Sequence, residues 1–258
     1  MTMSAIKLRQ VKEDPSREDI FKILHNQLAA ENTVSLSEAV TRFTQSVKKL
    51  DEDFFWGFWE NIFSVAEQIP HSHHSQDTLV AFVRELTLVP ETGEKIWEAR
   101  AWTDLPLLGA AVREHLSREL AVDERVSFHA FVARLLHAGI SPGSETTAIW
   151  MLRDSLEGDG GDVDRDLMTA AVYIEYAGAT LAQKLDLRPE PQLDEAQQRM
   201  LKGGALWKGQ SGLTVERWKF WGERFGKLAE KATRREARDL ALHAARLIEV
   251  WTQTLLST

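Results

Sequence analysis

Cysteine is absent from this 258-residue chain, and only two tyrosines stand beside nine tryptophans. Zero cysteine excludes disulfides, thiolate metal sites and a cysteine nucleophile, and it fits a reducing compartment. Long apolar runs are missing too. No window approaches the roughly 18–20 consecutive apolar residues of a membrane span. Residues 1–13 have the character of a tail, neither a signal peptide nor an anchor. Neither G-x-G-x-x-G after a strand nor G-x-x-x-x-G-K-[ST] occurs, so no nucleotide fingerprint is present. Net charge is −8, from 39 acidic and 31 basic side chains. That balance argues against nucleic-acid and anionic-membrane partners.

What is present is helix signal. The chain is 43% hydrophobic and 27% charged, and long enough to bury a full core without staples. Caps and apolar spacing predict helices over 15–31, 35–49, 53–69, 76–88, 107–121, 127–138, 144–157, 163–185 and 214–231, with a last one after Thr233. Asp14-Pro15 reads as a cap with proline at the first helical position. Ser35-x-x-Glu38 and Thr233-x-x-Glu236 read as capping boxes. Trp218, Trp221, Phe225 and Leu228 form one apolar stripe, and Leu240, Ala244, Leu247, Trp251 and Leu255 another. Gly139, Gly158, Pro70, Pro90 and Pro189 punctuate the helices. No segment alternates as a strand does, and no repeat of 20–50 residues recurs. The expected fold is all-α: an irregular bundle of about ten helices around one core, with 14–258 as a single helical domain. Two long tryptophan-bearing connections, 89–106 and 186–213, resist the helix pattern. Connections of that length are often functional. Their Trp102 and Trp207 are expected to be mostly buried.

Several motifs carry less than they suggest. Gly139-x-Ser141-Pro-Gly143 matches a nucleophile elbow, but a helix precedes it and proline follows the serine, so a turn between helices is expected. His71-Ser-His73-His74 lacks the helical spacing of a metal pair and is expected in an exposed loop, with no metal and no cofactor. Residues 154–166 hold six acids and one arginine but miss the glycine and glutamate of a calcium loop. Acids ahead of a long helix instead suit its N-terminal dipole. Residues 213–246 carry net +4, laid out in i,i+4 pairs on a solvated helix face.

Ionisable residues on apolar stripes say more. Arg153 shares a face with Ile149, Trp150 and Leu156, with Glu157 one turn on. Glu175 is the one carboxylate on a small-residue face of 163–185, and Arg134 lies beside Phe131. A lone buried charge costs several kcal/mol, so these groups should pair or border a wet cavity. A buried Arg–Glu network is one reading. A pocket in which Glu175, with Tyr176, serves as acid or base is the other.

Five blocks then stand in order: Trp102-Thr-Asp104-Leu-Pro106, Ser127-Phe-x-Ala-Phe131-x-Ala-Arg134-Leu135, Trp150-x-Leu-Arg153-Asp-x-Leu-Glu157, Ala170-Ala-x-Tyr-Ile-Glu175-Tyr-Ala-Gly178 and Leu206-Trp207-Lys208-Gly209…Arg217-Trp218-x-Phe-Trp221. Over roughly residues 20–250 they resemble a fungal, ascomycete-type family of helical proteins classed only as a domain of unknown function. The resemblance implies a helical intracellular protein and brings no activity, cofactor or catalytic residue.

Two functions follow as expectations. The first is a cytoplasmic binding protein that takes a protein partner or small hydrophobic ligand on a tryptophan-lined interhelical surface. Its candidate residues are Trp102, Arg134, Trp150, Trp207, Arg217, Trp218 and Trp221, and a homodimer stays open. The alternative is a cofactor-independent cyclase, isomerase or hydratase acting on a hydrophobic metabolite in the same cavity. Its acid–base candidates are Glu175, Asp104, Tyr176 and Arg153.

Overall fold

Eleven α-helices and one two-residue hairpin appear among the described residues of the computed structural model, which are 6, 8–9, 15–28, 33–140, 144–187 and 192–256. The fold is all-α. Ten of the helices are the expected ones; α6 (Val122–His137) starts five residues before the expected 127. The elements that the sequence reading lacked both lie in the long connections. One is the hairpin β1 (Lys95–Ile96) and β2 (Ala99–Arg100); the other is α9 (Glu195–Met200), too short to show a helical period. Asp14, residues 29–31, the Ser141-Pro-Gly143 part of the elbow motif and Pro189 lie outside the described residues.

The chain forms two units, Met1–Phe131 and Val132–Thr258, passing from one to the other within α6. The first holds α1 (Pro15–Leu28), α2 (Leu36–Ser46), α3 (Glu52–Gln68), α4 (Ser75–Leu86), the hairpin and α5 (Leu108–His115). α3 starts where Asp51 accepts the Phe54 N–H, with Glu52 and Asp53 in its first turn. Such a cap satisfies an orphan donor, and the acids suit the helix dipole. The Ser35 box is half made: Ser35 Oγ accepts the Glu38 N–H, while the Glu38 carboxylate pairs with Arg42. Phe55, Phe58, Trp59, Ile62 and Phe63 of α3 are buried. Trp102 is 3% exposed, as expected, and its ring lies 5.4–6.0 Å from those of Phe43, Phe54, Phe55 and Phe58. The Gln76 side-chain amide is also buried and donates to the carbonyls of Ala66, Ile69 and Ser127, tying α3, α4 and α6. Trp97, at the hairpin tip, is the contrasting case. It is 70% exposed with φ 53°, a left-handed conformation that bulky residues rarely adopt.

The second unit holds α7 (Ser144–Leu156), α8 (Val163–Gln183), α9, α10 (Val215–Ala229) and α11 (Arg235–Leu256). α8 packs against both α7 and α11. On α11 the buried stripe is Ala237, Ala241, Ala244, Ile248 and Thr252, which shares Ala244 with the expected one and otherwise lies one position from it. Small side chains let the backbones approach closely, and the larger Leu240, Leu247, Trp251 and Leu255 cover the edge. Trp218 is fully buried and donates through Nε1 to the Ile248 carbonyl, fixing α10 on α11.

The acidic stretch before α8 does serve as a cap, and for two helices. Asp162 accepts the Arg165 N–H at the start of α8. Asp164 reaches the start of α11, accepting the N–H of Thr233 (2.9 Å) and Arg234 (3.1 Å) and the Thr233 hydroxyl. The expected Thr233–Glu236 box is thereby replaced by a carboxylate from another helix. Desolvation raises the Asp164 pKa, but the hydrogen bonds from Thr233 and Arg234 and the Arg234 charge outweigh it and hold it below the ordinary value. A depressed folded pKa gives stability that is complete above the unfolded value of about 4 and lost as pH falls through the folded value. Asp164→Ala should therefore cost about 1 kcal/mol at neutral pH. In acid titrations followed by circular dichroism, the gap to wild type should shrink below about pH 4.

Candidate functional site

The most distinctive sequence block turns out to enclose a buried ion pair. Glu157, just past α7, and Arg217, in the first turn of α10, are both fully buried. Thr214 caps α10 through the Arg217 N–H, which sets the direction of the guanidinium. Arg217 Nε donates to Glu157 Oε1 at 2.6 Å and Nη2 to Oε2 at 3.1 Å. Nη1 donates to the carbonyls of Leu201 (2.8 Å) and Gly212 (2.9 Å), and Nη2 also to that of Lys202 (3.2 Å). All five guanidinium donors are thus used. Glu157 is equally saturated, taking Trp221 Nε1 at 2.7 Å on Oε1 and the Gly204 N–H at 2.5 Å on Oε2.

This clasp folds the 201–213 segment onto α7 and α10. A Cβ at position 204 would lie 2.7 Å from Glu157 Cβ, so the backbone can reach the carboxylate only with glycine there. Trp207 fits in a slot between Gly203 and Gly209, its Nε1 bonded to the Gln210 carbonyl. It is half-buried, less enclosed than the sequence predicts. Trp150 donates to the Met200 carbonyl at 2.9 Å and so anchors α9.

The structure corrects the expectation for the two other charges. Glu175 is on the exposed edge of α8, paired with His243 at 2.8 Å, both side chains partly in solvent. Arg153 bonds its neighbour Asp154 at 2.6 Å and makes no interhelical pair with Glu175. The stripe positions misled because α8 is covered on the faces beside Glu175 and open where that residue points. An exposed pair is worth little, so Glu175→Gln should change folding stability by less than about 1 kcal/mol, measured by urea denaturation.

The remaining candidates are engaged separately. Arg134 is buried with its guanidinium carbon 3.5 Å over the Tyr176 ring. Asp104 accepts the Arg100 side chain in two bonds and the Arg100 backbone N–H at 2.7 Å, closing the turn after β2. Those bonds, the guanidinium first, lower its pKa to about 2. Within the second unit, Arg153 and Glu175 are thus committed to different partners, Asp154 and His243. Arg217, Trp218 and Trp221 are fully buried and present no surface to a ligand.

Residues 59–225 match a family described as a protein of unknown function (DUF3632). The chain belongs to that family. No curated protein and no solved structure matches it. The matched span of this DUF3632 protein takes in the whole clasp from Glu157 to Trp221. No helix among the described residues is long and apolar enough to cross a membrane, and none of their His, Asp and Glu side chains gather as a metal site.

Concave surface that a ligand could reach lies in the first unit of the DUF3632 chain. One cleft of about 530 Å³ runs between α2, the end of α4 and the 88–94 segment, with Val40, Val47, Leu88, Pro90 and Trp102 among its lining residues. Another, of about 340 Å³, lies between α3 and α5 and is lined by Trp56, Glu60, Phe63, Ala111, Glu114, His115 and Arg118. Sequence reasoning missed both, because their residues are far apart in the chain and form no local motif. The i, i+4, i+7 spacing of Trp56, Glu60 and Phe63 was the available signal, and it reads equally as core.

Proposed function

We propose that this protein binds a small amphipathic ligand in the cleft floored by Trp102, and that it acts by binding without chemistry there. The observation that carries this reading is the cleft itself, about 530 Å³, whose lining mixes polar side chains with Val40, Val47, Leu88, Pro90 and Trp102 of the aromatic cluster. Sites for small molecules are typically concave, largely apolar and of this size. Two lysines and two glutamates line the cleft, and while Lys49 is paired with Asp51, Lys48 forms no ion pair among the described residues and offers a counter-ion to a ligand's anionic end. Zero cysteine supports a cytoplasmic setting, and the tryptophan-glycine block supports an ascomycete source.

The test uses 1-anilinonaphthalene-8-sulfonate, an apolar body with one sulfonate. It should bind wild type at one site and lose at least about tenfold in affinity in Thr44→Trp, which fills the cleft from α2. Lys48→Glu should weaken it in a salt-dependent way. Unchanged binding in a folded Thr44→Trp variant would refute this location.

A further inference from the structure

The second cleft has features that the first lacks, and they point to a ligand of different chemistry. His115, the last residue of α5, has a side chain only 3% exposed, and Glu67 of α3 is 14% exposed. Imidazole Nε2 and carboxylate Oε1 are 2.5 Å apart. The ring packs against two neighbouring phenyl rings, 5.1 Å from that of Phe63 and 4.4 Å from that of Phe128. An ionised carboxylate can only accept, so Nε2 is the donor in this pair, and in the neutral ring Nδ1 then carries the lone pair. Nδ1 has no hydrogen-bond partner among the described residues, yet it is not among their sealed polar atoms that lack one, and His115 lines the cleft. A side chain more than nine-tenths buried therefore borders a concave space that Trp56 and Phe63 also line.

We propose that the α3–α5 cleft is a second binding site, for a small aromatic alcohol of the phenol type. Its hydroxyl donates to His115 Nδ1, and its ring lies against Trp56 and Phe63. A site built to bond one hydroxyl discriminates strongly against the analogue that lacks it, because the buried acceptor is then left unpaired. Glu60 and Glu114 on the walls disfavour anionic ligands, and Arg118 is already committed to Glu60 at 2.8 Å. Glu67 is a positioning residue: it fixes the tautomer and does not touch the ligand. This inference is independent of the Trp102 cleft, which shares no lining residue with this one.

The experiment compares p-cresol with p-xylene, which has the same shape and no donor, by Trp fluorescence and calorimetry on the full chain. p-Cresol should bind wild type at least tenfold more tightly than p-xylene, and His115→Phe should erase that preference while p-xylene affinity stays the same. In the wild-type protein, nitrogen NMR of the imidazoles should show an unprotonated Nδ1 on His115 whose resonance moves as p-cresol saturates the site. That second readout stands even if His115→Phe does not fold. Equal affinities for the two probes, no p-cresol binding, or an Nδ1 resonance that ignores saturating p-cresol would each overturn the proposal. An anilinonaphthalene-sulfonate result at the Trp102 cleft leaves these outcomes untouched.

Discussion

Arg217→Met should cost roughly 3–5 kcal/mol of folding stability, read as a shift in the urea midpoint. Removing the guanidinium leaves Glu157 charged, fully buried and without its cation. It also strips donors from the carbonyls of Leu201, Lys202 and Gly212, which draw the 201–213 segment inward. Each buried orphan costs about 1–3 kcal/mol where water cannot reach it. Part of that is recovered if the segment detaches and rehydrates, and hydrogen exchange should then rise over 201–213 before it rises in α8. Arg217→Lys should rescue only a fraction, because an ammonium has three donors where five are used and cannot make the two-bond fork.

Trp102→Ala should destabilise the first unit by about 3–5 kcal/mol, the usual penalty for emptying a large aromatic from a core. The indole touches four phenylalanine rings on α2 and α3 and is the main apolar anchor of the 89–106 connection. Trp102→Phe should lose less, since a smaller ring keeps part of the edge-on packing. Thermal melting of both variants, with fluorescence from the remaining tryptophans, measures the difference.

Helices were legible because their caps and periods are local. Ser35 caps α2 and Asp162 caps α8, and the stripe of Trp218, Trp221 and Phe225 is buried as its spacing requires. What escaped was anything joining distant parts of the chain. Arg217 stands in the last sequence block, and Glu157 one turn after Arg153. Their pairing across sixty residues has no periodic signature. The stripe argument pointed to Arg153 and Glu175 instead, because position on a helix says which face a residue occupies and not what covers that face. Asp164 was read as a cap for its own helix, whereas its carboxylate caps α11. His115 and Glu67, 48 residues apart, follow the same rule.

The tryptophan-glycine block exists to hold a saturated buried ion pair, and a double-mutant cycle tests that role most directly. Glu157→Gln, Arg217→Met and the double variant are compared with wild type by urea denaturation. Each single change should lose about 3 kcal/mol or more, and the double should lose at least about 1 kcal/mol less than the sum, because neither charge is then left alone. Singles that melt like wild type, or losses that add to within about 0.5 kcal/mol, would contradict the account.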